Sequence, residues 1–331
     1  MSSFISTPET CYADMVAALG EDAPVFISRI GGSDTKALVN WRRVHGLPPR
    51  QMERQLERHL DMFVPMVSEM NGFYDFGDPR ASYARFVREL EENYRSSRIL
   101  TLSNRQYMSI YFPEQTVKHR FQEEFPNKEH YISLMEDLLA RRPDLRCYPY
   151  RFIESLVKGP FTMLRAFQPT LAGKKVLVVS PMTDSIVANF ANRQKFFKDY
   201  EYPEFEIDFV TVPITYSGLA REFYPHDDWF QTQDALIKAV SEKDFDVALL
   251  SCGTYAMGIG VHIEKVLRRK AVYMGGVMQL FFGVTGRRYE HTGVLRQINR
   301  EHFITPLEAA KYTAQLVTTE DAPREAFGAY F

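Results

Sequence analysis

Cysteine is scarce in this chain, and its scarcity excludes two kinds of stabilising site. The 331 residues include three cysteines, Cys11, Cys147 and Cys252, which are far apart and show no C-x-x-C spacing. A disulfide framework needs cysteines in pairs, and a zinc cluster needs closely spaced thiolates. The sequence therefore predicts neither of them, and we expect a reducing, cytoplasmic location.

An excess of charge of either sign is also missing. Lys and Arg number 40 against 42 Asp and Glu, so the formal net charge is −2. Such a balance provides no bulk electrostatic attraction to nucleic acid or to anionic lipid. We therefore expect no nucleic-acid partner, and any anion-binding site must be local.

Long hydrophobic runs are absent as well. The longest, residues 271–284, is interrupted by Gly275, Gly276 and Gln279 and is shorter than the roughly 20 residues of a spanning helix. The first fifteen residues lack the basic segment and apolar core of a secretory signal. We expect neither a membrane span nor a signal peptide.

What the chain does contain is a series of short apolar runs that alternate with helical patterns. The runs predict strands near residues 24–30, 99–102, 175–179, 204–212, 247–250 and 271–274, with the strand at 204–212 at a sheet edge because Pro213 follows it. Strands that alternate with helices predict an α/β fold with a doubly wound, mostly parallel, Rossmann-like sheet. Polar helical segments at about 48–95 and 106–170 are interpreted as insertions into a single elaborated domain, residues 1–331.

Glycines follow two of these strands closely. Gly253 comes after the strand at 247–250, and Gly275 and Gly276 come after the strand at 271–274. The helix between the two strands is expected to carry Ile259, Ile263 and Val266 on one face. Open parallel sheets bind ligands at the carboxyl ends of their strands. This pattern predicts a crevice for a nucleotide or phosphate, and the two arginines at 287 and 288 suit an anionic ligand.

Two further turns present backbone N–H groups at the start of a helix, a geometry that binds phosphate. One is residues 31–34, Gly-Gly-Ser-Asp, which precede a helix expected from about residue 35, and the other is residues 180–185, which precede a helix expected from about residue 186. Ordinary helix capping by Asp34, Thr183 or Asp184 is the alternative at these turns. Arg29, at the end of a buried strand, needs an anionic partner, either Asp34 or a bound phosphate.

Three other polar groups have simpler interpretations. Cys252 beside a buried strand is interpreted as a small apolar filler and not as a nucleophile. His262 is interpreted as structural, because no metal-ligand partner follows it four residues later. The acidic pair before Trp229 is interpreted as a helix cap at Asp228.

Three segments together carry a resemblance to a known family: residues 252–255 (CGTY), 275–283 (GGVMQLFFG) and 286–288 (GRR). They resemble the C-terminal signature of the GT-D-type bacterial glycosyltransferases, enzymes of surface-polysaccharide and glycoprotein assembly. The resemblance implies a GT-D-like fold, a nucleoside-diphosphate sugar as donor, and a glycan or glycoprotein as acceptor.

Residues 29–34 (RIGGSD) are similar to the R-x-G-D-G-E segment of that family, whose D-x-E acids are associated with a divalent metal, Mn²⁺ or Mg²⁺. Here Gly32 replaces the first acid and Asp34 the second. A metal at Asp34 is therefore one expectation, and catalysis without a metal is the other.

The residue patterns and the resemblance together suggest roles for individual residues. Asp34 is the expected catalytic and metal-binding acid, and Arg29 is expected to stabilise the departing diphosphate. The expected donor-binding residues are Gly31, Gly32, Ser180, Thr183, Ser185, Gly253, Tyr255, Gly275, Gly276, Gln279, Arg287 and Arg288.

A second hypothesis is a non-catalytic member of the same fold that binds a nucleotide or glycan and acts as a partner or regulatory subunit. The loss of the first acid at Gly32 favours it. The oligomeric state is open, a homo-oligomer included. A nicotinamide oxidoreductase is disfavoured, because no G-x-G-x-x-G follows a predicted strand.

Overall fold

The computed structural model describes residues 8–102, 134, 136–137, 146–149, 167–198, 201–286, 289 and 298–315. Within these ranges seven strands form one sheet in the order β3-β2-β1-β7-β6-β4-β5, and every neighbouring pair is parallel. The strands are β1 (Val25–Arg29), β2 (Ile99–Leu102), β3 (Arg146–Pro149), β4 (Lys175–Ser180), β5 (Glu206–Thr211), β6 (Val247–Leu250) and β7 (Lys270–Tyr273). The predicted parallel α/β sheet is confirmed.

Nine α-helices lie in the described residues. They are α1 (Pro8–Gly20), α2 (Gly32–His45), α3 (Pro49–Asn71), α4 (Pro79–Ser96), α5 (Thr183–Asn189), α6 (Trp229–Ser241), α7 (Tyr255–Lys265), α8 (Met278–Phe281) and α9 (Glu308–Thr313). Two of them begin three residues earlier than the sequence predicts: α2 starts at Gly32 and α5 at Thr183.

Both faces of the sheet are covered, which is why its central strands are continuous apolar runs. On β6, Ala248 and Leu250 join one buried cluster, whereas Val247 and Leu249 join another. The first cluster contains residues of α2, α3, α4, α6 and α7. The second contains residues of α1, α5 and α8. The molecule thus has three layers, with the sheet between two hydrophobic cores.

The edge strand β5 is built differently from its neighbours. It reads Glu206–Thr211, with exposed and partly buried residues in alternation until Val210. Among the described strands it pairs with β4 alone, as expected from the Pro213 that follows it. A strand with one solvated side tolerates this polarity, whereas β6 is buried at all four positions.

The helices α3 and α4 occupy most of the predicted insertion at 48–95 and pack against α2 and against each other. Most of the second predicted insertion, 106–170, lies outside the described residues.

One expectation about α7 is wrong. Ile259 and Ile263 are fully buried, but Val266 follows the end of the helix and is 64% exposed. A search of the described helices for a membrane-spanning candidate finds none.

Candidate functional site

A crevice opens at the carboxyl ends of five strands. Its walls come from Arg29 at the end of β1, residues 181–182 after β4, 212–216 after β5, 251–253 after β6, and 273, 275 and 276 at the end of β7. Parallel strands all end on the same edge of the sheet, so these turns converge there. The predicted crevice is therefore present. Of the expected site residues, Arg29, Gly253, Tyr255, Gly275 and Gly276 line it.

The two turn glycines adopt a backbone conformation that side chains disfavour. Gly253 has φ +57° and Gly275 has φ +62°, in the left-handed region that glycine enters without steric cost. At Gly275 a methyl group would also overlap Nη1 of Arg29. This glycine therefore leaves the space that the guanidinium occupies.

Arg29 is the one cationic side chain among the described residues that line the crevice. It is partly buried, its Nη1 donates to the Met274 carbonyl at 3.5 Å, and its Cζ lies 5.1 Å from the centroid of the Tyr273 ring. These contacts hold the guanidinium at the end of β1, where it faces the turn that follows β7. An arginine in a partly desolvated crevice is suited to binding phosphate.

The end of α3 forms a wall that the sequence did not predict. The Asn71 carbonyl accepts a hydrogen bond from Thr254 Oγ1 at 3.1 Å, and the Gly72 carbonyl accepts one from Thr215 Oγ1 at 2.8 Å. Since that bond uses the Thr215 proton, Tyr255 donates its hydroxyl proton to Thr215 Oγ1 at 3.0 Å. The wall is thereby fixed to the turns after β5 and β6.

The sequence carried one signal for this wall. An Asn-Gly pair at the end of a long helical pattern is typical of a helix that ends in a left-handed residue, and Gly72 has φ +73° as the C-cap of α3. No sequence pattern indicated that this helix end lies beside the turn after β6. No pattern indicated that Thr215 belongs to the wall.

Asp34 lies behind the crevice in a network of donors. It is 3% exposed, and its Oδ2 accepts from the Gly31 N–H at 3.2 Å and from the Tyr94 hydroxyl at 3.0 Å. Its Oδ1 accepts from the Asn71 side-chain amide. Burial raises the pKa of Asp34 above its ordinary value, although these hydrogen bonds and the nearby Arg29 charge oppose the shift.

The capping expectation for Asp34 needs correction. Gly31 is the N-cap of α2, and Asp34 is its third residue, which bonds back to the N-cap N–H. Gly31 and Gly32 serve this turn and do not line the crevice. The carboxylate ties the start of α2 to the end of α3 and to α4.

This geometry does not suit a divalent metal. Mg²⁺ and Mn²⁺ prefer several oxygen ligands, whereas both Asp34 oxygens already accept hydrogen bonds from protein donors. Within the part of the chain that the structure describes, no group of three or more His, Cys, Asp or Glu side chains could hold a metal ion. The described residues therefore do not form the metal site that the resemblance implies.

The turn at 180–185 is occupied by other protein groups. The Glu308 carboxylate accepts from the Ser185 N–H at 2.9 Å and from the Ser185 hydroxyl. Ser180 Oγ accepts from the Met182 N–H at 3.1 Å, and Thr183 Oγ1 lies 2.7 Å from Thr211 Oγ1. All three expected ligands are buried outside the crevice lining. A protein carboxylate thus takes the position in which a phosphate was expected.

Three expected ligand-binding residues are still to be placed: Gln279, Arg287 and Arg288. Gln279 is buried, with its side-chain nitrogen 2.8 Å from Met182 Sδ, and does not line the crevice. Arg287 and Arg288 lie outside the described residues. Whether any of the expected residues binds a ligand stays a prediction.

The three simpler interpretations agree with the contacts. Cys252 is buried in the crevice wall, and burial raises the pKa of its thiol, which disfavours a thiolate nucleophile. His262 hydrogen bonds to Ser241 Oγ at 2.9 Å. Asp228 is the N-cap of α6 and accepts from the Gln231 N–H at 2.8 Å.

The enclosed part of the crevice is small, about 70 Å³, beside the ~300–1,000 Å³ of typical small-molecule sites. A ligand of nucleotide size would therefore extend from it over the rim of the sheet. The described lining contains one arginine and no carboxylate or imidazole side chain. Chemically, the described lining can hold an anion, but it lacks the histidine and carboxylate side chains that most commonly act as a general base.

Neither a protein-family model nor a curated protein sequence matches this chain. Two solved structures align with it. A selenomethionine-substituted structure of domain of unknown function 1792 is 12% identical, with 92% of this chain and 98% of that chain covered and a TM-score of 0.40. The second, described as showing that this highly conserved domain has a distinct glycosyltransferase fold, is 13% identical with the same coverage and a TM-score of 0.41. At these TM-scores the likeness establishes neither family nor activity.

Proposed function

We propose that the chain is a GT-D-like glycosyltransferase that binds a nucleoside-diphosphate sugar in the crevice and transfers a hexose to a surface-glycan or glycoprotein acceptor. The observation that carries this proposal is the placement of Arg29 opposite Gly275. The glycine leaves room for a guanidinium at the convergence of five parallel strands. The motif resemblance at 252–255 and 275–288 supports the nature of the donor.

In this proposal Arg29 binds the diphosphate and stabilises the charge that develops when the glycosidic bond to it breaks. The turns at Gly253 and Gly275 let the ligand approach the backbone closely. Tyr255, which stacks on Trp229 with ring centroids 4.9 Å apart, supports the wall. Asp34 keeps the turn before α2 and the end of α3 in place and does not contact the reacting atoms.

The second candidate is a non-catalytic binding subunit of the same fold. The absence of a carboxylate and an imidazole from the described crevice lining favours it, because transfer to a hydroxyl commonly uses a general base. The transferase requires nucleotide binding, whereas the binding subunit binds either a nucleotide or a glycan. Where a nucleotide binds, turnover separates the two candidates.

Calorimetric titration with a panel of nucleoside diphosphates and their sugars, each with and without Mn²⁺, tests both candidates. We expect one sugar nucleotide to bind, and Arg29→Gln to weaken its binding at least about tenfold, or ~1.4 kcal/mol. The matched control is Arg88→Gln, since Arg88 is an exposed arginine on α4. The same panel shows whether a metal is needed.

Turnover is then measured as release of the nucleoside diphosphate and transfer of a labelled sugar to a cell extract. Release and transfer support the transferase. Binding without either supports the binding subunit. If no nucleotide binds to the wild type, the transferase is refuted, and the binding subunit stays only as a glycan-binding one.

A further inference from the structure

A second polar cavity lies between α2 and α3, and the function proposed above does not use it. Its volume is about 310 Å³, and the polar residues that line it are Asn40, Arg43, Gln55, Arg58 and His59. We call it the α2–α3 pocket. His59 precedes Asn71 by twelve positions on α3, so it lies ~18 Å along the helix from the crevice wall at 1.5 Å per residue. The two cavities share no lining residue.

The floor of the α2–α3 pocket contains a polar atom without a partner. His59 is 4% exposed, its Nε2 lies 3.2 Å from the Tyr83 hydroxyl, and its buried Nδ1 has no hydrogen-bond partner among the described residues. Burial of Tyr83 raises the pKa of its hydroxyl, which therefore keeps its proton and donates it to Nε2. The neutral ring then carries its own proton on Nδ1. An unsatisfied buried donor costs about 1–3 kcal/mol, and an acceptor in the pocket would remove that cost.

The rim of the pocket carries positive charge that the protein leaves unneutralised. Arg43 and Arg58 are both exposed, and neither forms an ion pair in the described structure. The acids nearest to Arg58 along α3, Glu57 and Asp61, pair instead with Arg80 of α4. Among the described residues that line the pocket there is no carboxylate. Two guanidinium groups and one imidazole therefore line a cavity to which the described residues contribute no negative charge.

We propose that the α2–α3 pocket binds a phosphate monoester. Guanidinium groups donate to phosphate oxygens in pairs, with a strength that neutral donors lack. We assign His59 Nδ1–H as a third donor, which a ligand oxygen reaches after a small shift of the ring, because this nitrogen has almost no solvent-accessible surface. The cavity is larger than a phosphate group requires, so the ester substituent, such as a hexose, fits beside Gln55 and Asn40.

Calorimetry on the full chain at constant ionic strength tests this site with two probes, inorganic phosphate and hexose 1-phosphate. We expect both to bind, with the ester binding more tightly. Arg58→Gln should weaken both about tenfold, which is ~1.4 kcal/mol. Arg54→Gln is the matched control, because Arg54 is an exposed arginine one turn earlier on α3 and does not line the pocket. Its affinity should equal that of the wild type.

A second readout does not depend on any variant. In ¹H–¹⁵N spectra of the histidine rings, hexose 1-phosphate should shift the Nδ1 resonance of His59. The site is refuted if the wild type binds neither probe at millimolar concentration, if Arg54→Gln and Arg58→Gln weaken binding equally, or if the His59 resonance does not move at saturation. Equal binding of the two probes would refute the monoester assignment, since the substituent would then add nothing.

Discussion

At the scale of single residues, the crevice depends on Gly275, which has no side chain. Gly275 follows β7, and Arg29 ends the neighbouring strand β1, so the two residues meet at the same edge of the sheet. The turn requires φ +62°, and the guanidinium fills the space beside the Cα atom. The positive φ of the turn and the position of the guanidinium therefore each require glycine at position 275.

Gly275→Ala should weaken nucleoside-diphosphate binding at least about tenfold, since the methyl group displaces the Arg29 guanidinium and strains the turn by ~1–3 kcal/mol. Calorimetry with the best nucleotide of the panel measures the loss. Gly173→Ala is the matched control, because Gly173 also has positive φ, +68°, but has no atom within 4 Å of the added methyl group. It should cost stability and leave affinity unchanged. Equal affinities of Gly275→Ala and the wild type would contradict the placement of Arg29 in the site.

Asp34 shows what a motif cannot reveal. Its spacing from Arg29 matched a pattern of catalytic acids, and its position before a helix matched a cap. Its actual partners are Tyr94 and Asn71, 60 and 37 residues away along the chain. Whether a carboxylate is available to a ligand depends on such distant donors, which local sequence does not specify.

At the scale of elements, local pattern was sufficient for most strands. The strand at 247–250 was predicted with its observed bounds, and β2 likewise, because a buried parallel strand is an apolar run with polar or glycine residues on both sides. The crevice followed from the same logic, since its glycines come directly after strands. Helix starts at Gly32 and Thr183 were placed too late, because polar first turns resemble loops.

Contacts between elements were not predictable in the same way. The start of α5 looked like a phosphate site because its hydroxyls and N–H groups were visible in the sequence. The acid that satisfies them, Glu308, follows Ser185 by 123 positions and belongs to another helix. The Leu307 N–H also donates to Ser185 Oγ at 2.8 Å. These bonds attach the start of α9 to α5.

Glu308→Ala should lower the free energy of unfolding by about 1–3 kcal/mol, because it leaves the buried Ser185 N–H and hydroxyl without their acceptor. Urea denaturation followed by circular dichroism measures the change. Glu301→Ala is the control, since Glu301 is an exposed acid with a side chain 80% accessible to solvent. If the two substitutions have equal effects, the carboxylate does not hold α9 to α5.

At the scale of the whole molecule, the buried titratable groups link stability to pH. His59 has its pKa lowered from 6.5 to about 4, mainly by burial and further by the charges of His45 and Arg43. Asp34 has its pKa raised by burial.

For His59, the unfolded chain takes up a proton below about pH 6.5 and the folded chain does not do so until about pH 4. Its stabilising contribution is therefore complete above pH 6.5 and is lost as the pH falls towards 4. The contribution of Asp34 has the opposite sign, being present at low pH and lost as the pH rises through its raised pKa.

The His59 contribution can be isolated by comparing the wild type with His59→Gln, which keeps a polar group near Tyr83 but takes up no proton. Urea unfolding at about pH 7 and pH 5, in a buffer without phosphate, should show a larger loss of stability on acidification for the wild type than for the variant. Asp34 titrates in both proteins and cancels in the difference. Adding inorganic phosphate at pH 7 should then raise the unfolding free energy of the wild type, because a ligand that binds only the folded chain stabilises it. Identical pH dependence in the two proteins would show that His59 is not held neutral by its surroundings, and the Nδ1–H donor assigned to the α2–α3 pocket would lose its basis.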